Sequence, residues 1–164
     1  MNYSADIQKT RRTFLPKEFT LNTWKDVEPF FNQLLQRDIS TKPALDIWLN
    51  DLSELEAAIS EDACWRQIRM TCDTENQQLE DAYNFYCLHI QPQIEPFADA
   101  LNKKLINATS DCELDPILYF TYLRNIRKNI ELFREENIPL QAEAAVLQQQ
   151  YGQITGDMTV TINQ

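Results

Sequence analysis

The stretch LDIWLNDLSELEAAI, residues 45–59, decides the fold of this chain. Its large apolar residues recur in steps of three and four, which places them along one stripe of an α-helix, and acidic residues occupy much of the other face. The pattern predicts a helix that begins near Ser40, a plausible N-cap, and continues to about Cys72. The predicted buried stripe consists of Leu45, Trp48, Leu52, Leu55 and Ile59.

Four further segments repeat this spacing and are joined by short loops, with helices predicted at about 23–37, 75–105, 115–136 and 139–156. Two glycines and seven prolines leave little material for the turns of a many-stranded sheet. We therefore predict an all-α fold, an antiparallel bundle of about five helices. The predicted inward residues are Trp24, Val27, Phe31 and Leu34; Leu79, Tyr83, Tyr86, Ile90, Ile94, Phe97, Leu101 and Leu105; Tyr119, Leu123, Ile126, Ile130 and Phe133; and Leu140, Ala144, Leu147, Tyr151 and Ile154.

Two prolines interrupt the third helical segment. Pro92 and Pro96 each lack the N–H that an internal helix residue donates, and each proline ring crowds the preceding turn. We expect the helix to kink or break around residues 89–94.

The period changes after Gly156. Residues 158–162, MTVTI, alternate with period two and are rich in β-branched side chains, which predicts a β-strand. The helical remainder offers this strand no partner, and an isolated strand leaves its backbone groups unpaired. We expect a helical lobe over 1–156 and, over 157–164, an orphan strand whose partner lies in a further domain beyond Gln164.

Composition narrows the classes of partner. The net charge of −10 would repel a phosphate backbone, so we expect no nucleic-acid partner. The first 19 residues contain neither a signal peptide nor a membrane span, so we expect a cytoplasmic protein with no membrane partner. Four widely spaced cysteines, without a Cys-x-x-Cys pair, are expected to be reduced.

A single histidine limits the chemistry that this chain can perform. His89 has no second histidine to join it, so a His-Glu-x-x-His zinc helix cannot be formed. Cys87 stands two residues before His89, and on a helix the two side chains point to different sides, which argues against a thiol nucleophile with its base. We expect His89 to bond a carbonyl freed by the nearby proline, for example that of Leu88.

The remaining candidates also favour structural roles. The acidic pairs Glu54/Glu56 and Glu61/Asp62 could be a general acid and base only in a dry pocket, and helical spacing places most of them on the solvated face. We therefore assign no catalytic, cofactor-binding or metal-binding residue to this chain. Five aromatic residues are expected to fill the core, or the seam with a further domain: Trp24, Trp48, Trp65, Phe85 and Tyr122.

Several phrases resemble the N-terminal region of bacterial oligoendopeptidase F-like proteins, a thimet oligopeptidase-related family of zinc metallopeptidases. They follow the order of that region nearly end to end, although none is a catalytic motif. The phrases are Arg12-Thr-Phe-Leu-Pro16, Ser53-Glu-Leu-Glu-Ala57, Ile68-Arg-Met-Thr-Cys-Asp-Thr74, Leu132-Phe-Arg-Glu-Glu-Asn-Ile-Pro-Leu140 and Gly156-Asp-Met-Thr-Val160.

The resemblance implies a helical lobe that lies against a catalytic lobe and encloses a channel for short peptides. It also implies zinc in the full-length parent, held by two histidines and a glutamate that this sequence does not contain. The chain alone is then not an enzyme, and its partners are its own missing catalytic domain and, in the full-length protein, short peptides. Self-association through the exposed seam is a further expectation. The alternative is a free-standing helical adaptor that binds partner proteins.

Overall fold

The computed structural model describes residues 12–110, 112, 114–156 and 158, and within them all regular structure is helical. The all-α prediction is therefore confirmed. The predicted strand, apart from Met158, lies outside the described residues. In chain order the elements are α1 (Trp24–Gln36), α2 (Lys42–Cys72), α3 (Gln77–Phe85), a π-helical turn (Tyr86–Ile90), α4 (Gln91–Ala108), α5 (Phe120–Leu132), a 3₁₀ turn (Glu135–Asn137) and α6 (Ile138–Gly156).

Side-chain acceptors fix the starts of the first two helices. The carboxylate of Asp26 accepts the backbone N–H of Thr23 at 2.7 Å, and this hydrogen bond, with others from neighbouring groups, lowers the pKa of Asp26. α2 begins one residue later than Ser40 would allow. Its N-cap is Thr41, whose hydroxyl oxygen accepts the N–H of Ala44 at 3.4 Å.

The helix does not break at its two prolines, because α3, the π-helical turn and α4 follow one another without a gap. Within the turn the N–H of Gln91 donates to the carbonyl of Tyr86, five residues back, so the register has shifted just before Pro92. The π-helical turn accommodates the prolines without a break in the helix. The kink that was expected there stays a prediction.

The core lies mainly between α1, α2 and α4, and its buried stripes agree with the predicted inward faces of these helices. α4 also packs against α5 and α6. On α5 the predicted face is correct as well, since Ile126 is buried and Leu123 and Ile130 pack against the core. The largest fully buried side chains are Trp48, Leu34, Leu45, Leu55, Ile90, Leu101, Leu105 and Val27.

The C-terminal end of α1 is held by two polar groups from other helices. The indole Nε1 of Trp48, on α2, donates to the carbonyl of Leu34 at 2.9 Å. The ammonium of Lys104, on α4, donates to the carbonyls of Leu34 at 2.8 Å, of Leu35 at 2.7 Å and of Arg37. These carbonyls have no partner within the helix, so the two side chains satisfy them and join three helices at one point.

A carboxylate on α2 fastens the segment that precedes α1. Glu54 accepts the backbone N–H groups of Thr13 at 2.9 Å, Phe14 at 3.2 Å and Leu15 at 2.8 Å. Glu54 is therefore not one of the acidic residues that merely face solvent. Two of the phrases that carried the family resemblance, residues 12–16 and 53–57, contact each other through this carboxylate.

The hydrogen bonds that Glu54 accepts from Thr13, Phe14 and Leu15, here called the Glu54 clamp, should make the free energy of unfolding depend on pH in the acid range. Burial raises the pKa of Glu54, but the three N–H donors outweigh burial and leave that pKa below its ordinary value. The stabilisation is then present above the ordinary pKa and is lost as the pH falls through the folded-state value. We expect Glu54→Gln to lose about 1–2 kcal/mol at neutral pH, measured by urea unfolding.

The control for this prediction is the pH profile itself. Because Glu54→Gln removes the titrating group, its unfolding midpoint should fall less between pH 7 and pH 3 than the wild-type midpoint does. Parallel profiles for the two proteins would contradict the clamp.

The orientation of α6 was predicted wrongly. All four large residues of the predicted inward stripe are exposed, Leu140 by 61%, Leu147 by 57%, Tyr151 by 68% and Ile154 by 66%. Ala144 is exposed too. Gln149 is the buried residue of this helix and Ala145 packs against the core, so the predicted stripe faces outward.

Candidate interaction site

α3, the π-helical turn and α4 form one continuous helical segment, which we call the α3–α4 rod. A groove of about 400 Å³ runs between α2 on one side and this rod on the other. Its floor is apolar and includes Phe31, Leu52 and Leu101, which belong to the core stripes of α1, α2 and α4. Two carboxylates, Glu56 of α2 and Glu95 of α4, line the same groove. The groove therefore combines an apolar floor with negative charge contributed from both walls.

The electrostatics of the groove are set by burial. The groove walls raise the pKa of Glu56 by desolvation, although the residue as a whole remains exposed. Tyr122, at the start of α5, lies near enough to be affected: burial raises its pKa to about 12, and the charge of Glu56 adds to this. Such a groove attracts cationic and apolar groups and repels anions.

The thiol in the groove is not arranged for nucleophilic attack. Burial raises the pKa of Cys87, which keeps it a neutral thiol, and a hydrogen bond with the Tyr83 hydroxyl only partly opposes this shift. His89 lies outside the groove, is exposed, and packs against Phe85 with ring centroids 5.0 Å apart. The prediction that Cys87 and His89 point to different sides is confirmed.

The expectation for His89 needs correction, and that for the five aromatic residues is met only in part within the core. Among the described residues, the His89 imidazole forms no hydrogen bond to a carbonyl, and its own carbonyl accepts from the side chain of Gln93. Of the five aromatic residues expected in the core or at a seam, only Trp48 is fully buried, and Trp24 packs against the core. Trp65, Phe85 and Tyr122 are exposed. Whether they would be buried at a contact with a further domain stays a prediction.

α6 lies beside the groove and runs antiparallel to the α3–α4 rod. The amide of Gln153 donates to Glu80 at 2.9 Å, while Ala142 and Gln91 line one small cavity further along the pair. Its outer face carries the exposed stripe Leu140, Leu147, Tyr151 and Ile154. Periodicity predicted this stripe but could not show that it faces outward, because hydropathy identifies an apolar face without showing what covers it.

Neither surface supplies the parts of a hydrolytic centre. Among the residues that the structure describes, no three histidine, cysteine or acidic side chains come together as possible metal ligands. The described helices also include none that is long and apolar enough to cross a membrane. The two surfaces are an open groove with an apolar floor and two carboxylates, and a helix face with an exposed apolar stripe.

Comparison with known proteins gives one match. The family model described as Peptidase M3 N-terminal domain matches residues 14–133, which is well over half of the chain and runs from the clamped N-terminal segment to the residue after α5. No curated protein and no solved structure matches this chain. α6 begins five residues after the matched region ends.

Proposed function

Because the chain belongs to the Peptidase M3 N-terminal domain family, we propose that it is the substrate-enclosing lobe of a cytoplasmic zinc oligoendopeptidase. The catalytic domain and the zinc site would lie in a region that follows this lobe in the complete protein. The family match carries this proposal, because it covers Phe14, Leu15 and Glu54, all of α1 to α5 and both walls of the groove.

The zinc of such a peptidase does not fit the residues of this lobe. Peptidase zinc sites of this kind use two histidines and a carboxylate, and the sequence contains His89 alone. The lobe would therefore contribute shape and charge, while the residues that activate water would come from the catalytic domain.

The groove suggests how the lobe would act on substrate. Its apolar floor can receive the side chains of an extended peptide, and Glu56 and Glu95 add a preference for basic residues. A lobe that closes one side of a channel excludes folded proteins and keeps bulk water from the scissile bond until the peptide is seated. The substrate class supported best is therefore a short, unstructured peptide.

A matched pair of serines on α2 tests this proposal in the complete protein. Ser60 is exposed and lines the groove, whereas Ser53 is exposed on the same helix and does not. We expect Ser60→Trp to lower kcat/KM for a short peptide by about tenfold, because misplacing a bound substrate by even 1 Å can cost this much or more. Ser53→Trp should stay close to the wild-type value.

Both variants replace exposed side chains, so thermal unfolding should confirm that each remains folded. Equal kcat/KM values for Ser60→Trp and wild type would show that the groove does not face the substrate. A larger loss for Ser53→Trp would place the substrate on the opposite side of α2.

A further inference from the structure

Asp99 is a buried carboxylate on α4 that has one oxygen without a hydrogen bond. Only 9% of its side chain is exposed. Its Oδ2 accepts from the ammonium of Lys103, one turn later, at 2.6 Å. Its buried Oδ1 has no hydrogen-bond partner among the described residues. Because such an oxygen has lost water without gaining a donor, a bound donor group would relieve a cost that the folded chain otherwise bears.

Asp99 lines a cavity of about 350 Å³ between α4, α5 and α6, which we call the Asp99 cavity. This volume lies within the range of pockets that hold small ligands. Glu95, one turn before Asp99 on the same helix, lines the cavity as a second carboxylate. The apolar wall of the cavity is formed by Leu132, Phe133 and Ile138. The cavity therefore combines two carboxylates with an apolar surface, which suits a cation carried on a hydrocarbon chain.

The cations Lys103 and Arg134 lie at this cavity, and neither of them bonds to Oδ1 of Asp99. Lys103 donates to Oδ2 and keeps 55% of its side chain exposed. Arg134 lines the cavity, but its guanidinium donates to the carbonyls of Glu131 at 2.8 Å and Phe133 at 2.6 Å, where α5 ends. Oδ1 can therefore accept from a further cation without displacing either side chain.

The Asp99 cavity adjoins the groove between α2 and the α3–α4 rod. Glu95 and Ala98 line both of them. A small cavity between the two shares Gln91 with the groove and Ile138 with the Asp99 cavity. Because one glutamate borders both spaces, a long side chain of a peptide in the groove can enter the Asp99 cavity.

We propose that the Asp99 cavity is a specificity subsite for a lysine side chain of the peptide, and that Asp99 Oδ1 and Glu95 bind its ammonium group. This inference rests on the proposed function, because it takes the groove to hold substrate. Arginine fits less well, because a guanidinium typically binds both oxygens of a carboxylate at once and Lys103 already bonds Oδ2 of Asp99. An ammonium is compact and needs only one oxygen from each acceptor. A divalent cation would need more ligands, since among the described residues no three acidic, histidine or cysteine side chains come together.

Calorimetric titration of the 164-residue chain with short peptides tests the subsite. The peptides have blocked termini and differ only at one central position, which is lysine, arginine or norleucine. We expect the lysine peptide to bind about tenfold more tightly than the norleucine peptide, because a charge-assisted hydrogen bond to a buried oxygen contributes about this much. The arginine peptide should bind more weakly than the lysine peptide.

Asp99→Asn should reduce the preference for lysine over norleucine to about twofold or less, because the acceptor loses its charge. Its Kd for the norleucine peptide should stay unchanged, which also shows that the variant is folded. Asp46→Asn is the matched control, because Asp46 also pairs with a lysine one turn away, Lys42, but lines neither the groove nor the Asp99 cavity. This control should keep the full preference for lysine.

The outcomes separate this inference from the proposed function. A lysine preference that survives Asp99→Asn would overturn the subsite, and the groove would keep its proposed role. Arginine binding at least as tight as lysine binding would assign the preference to the general charge of Glu56 and Glu95 and would also overturn the subsite, as would failure of every peptide to bind. A lysine preference that Asp99→Asn removes, in a gene product without peptidase activity, would overturn the proposed function and leave the ammonium subsite.

Discussion

Replacing Trp48 with alanine is expected to destabilise the folded chain by about 4 kcal/mol, within the range seen when large core aromatic residues are truncated. The side chain is fully buried among the core residues of α1, α2 and α4. Its removal leaves a cavity and also deprives the Leu34 carbonyl of the indole donor at 2.9 Å. Because whole domains are stable by only about 5–15 kcal/mol, the variant should melt far earlier than wild type in thermal circular dichroism.

Trp48→Phe separates the contribution of the buried side chain from that of the indole hydrogen bond. Phenylalanine keeps most of the buried area and loses the hydrogen bond, so we expect a cost of about 1–2 kcal/mol from chemical denaturation. An alanine variant that loses less than the phenylalanine variant would contradict the central place given to Trp48 in the core.

Replacing Lys104 with methionine should cost about 2–3 kcal/mol, because three carbonyls at the end of α1 lose their charged donor at once. Burial, which lowers the pKa of this lysine, offsets part of the gain and keeps the cost below the sum of three charged hydrogen bonds. Methionine retains the length of the side chain, so packing along α4 should survive. Denaturant unfolding at neutral pH measures the cost.

Lys42→Met is the matched control, because among the described residues the Lys42 side chain forms only an exposed ion pair with Asp46, one turn later on α2. This substitution should cost about 0.3–0.5 kcal/mol. A double-mutant cycle of Lys104→Met with Trp48→Phe gives a second check, because both side chains bond the Leu34 carbonyl. We expect non-additive costs; strictly additive costs would contradict the shared carbonyl.

The sequence predicted the helices well where one face had to be apolar and the helix had partners within the chain. The stripe from Leu45 to Ile59 is buried as predicted, and α1, α4 and α5 follow the same rule. Tertiary packing and periodicity agree in these segments, so hydropathy alone locates the core.

The prediction from sequence failed for residues whose role depends on contacts that no local pattern shows. The carboxylate of Glu54 holds backbone donors about 40 residues away in the sequence, and no local pattern shows such a contact. α6 failed for a different reason: its stripe has the spacing of a core face, but spacing cannot state whether the covering surface belongs to this lobe.

The most direct test of the central claim is to purify the native gene product from its source cells and to assay it against a short, unstructured peptide with and without zinc. We predict a product that continues beyond Gln164 into a His-Glu-x-x-His motif, cleaves the peptide, loses activity with a chelator and regains it with zinc. A product that consists of these 164 residues and leaves the peptide intact in the presence of zinc would contradict the claim.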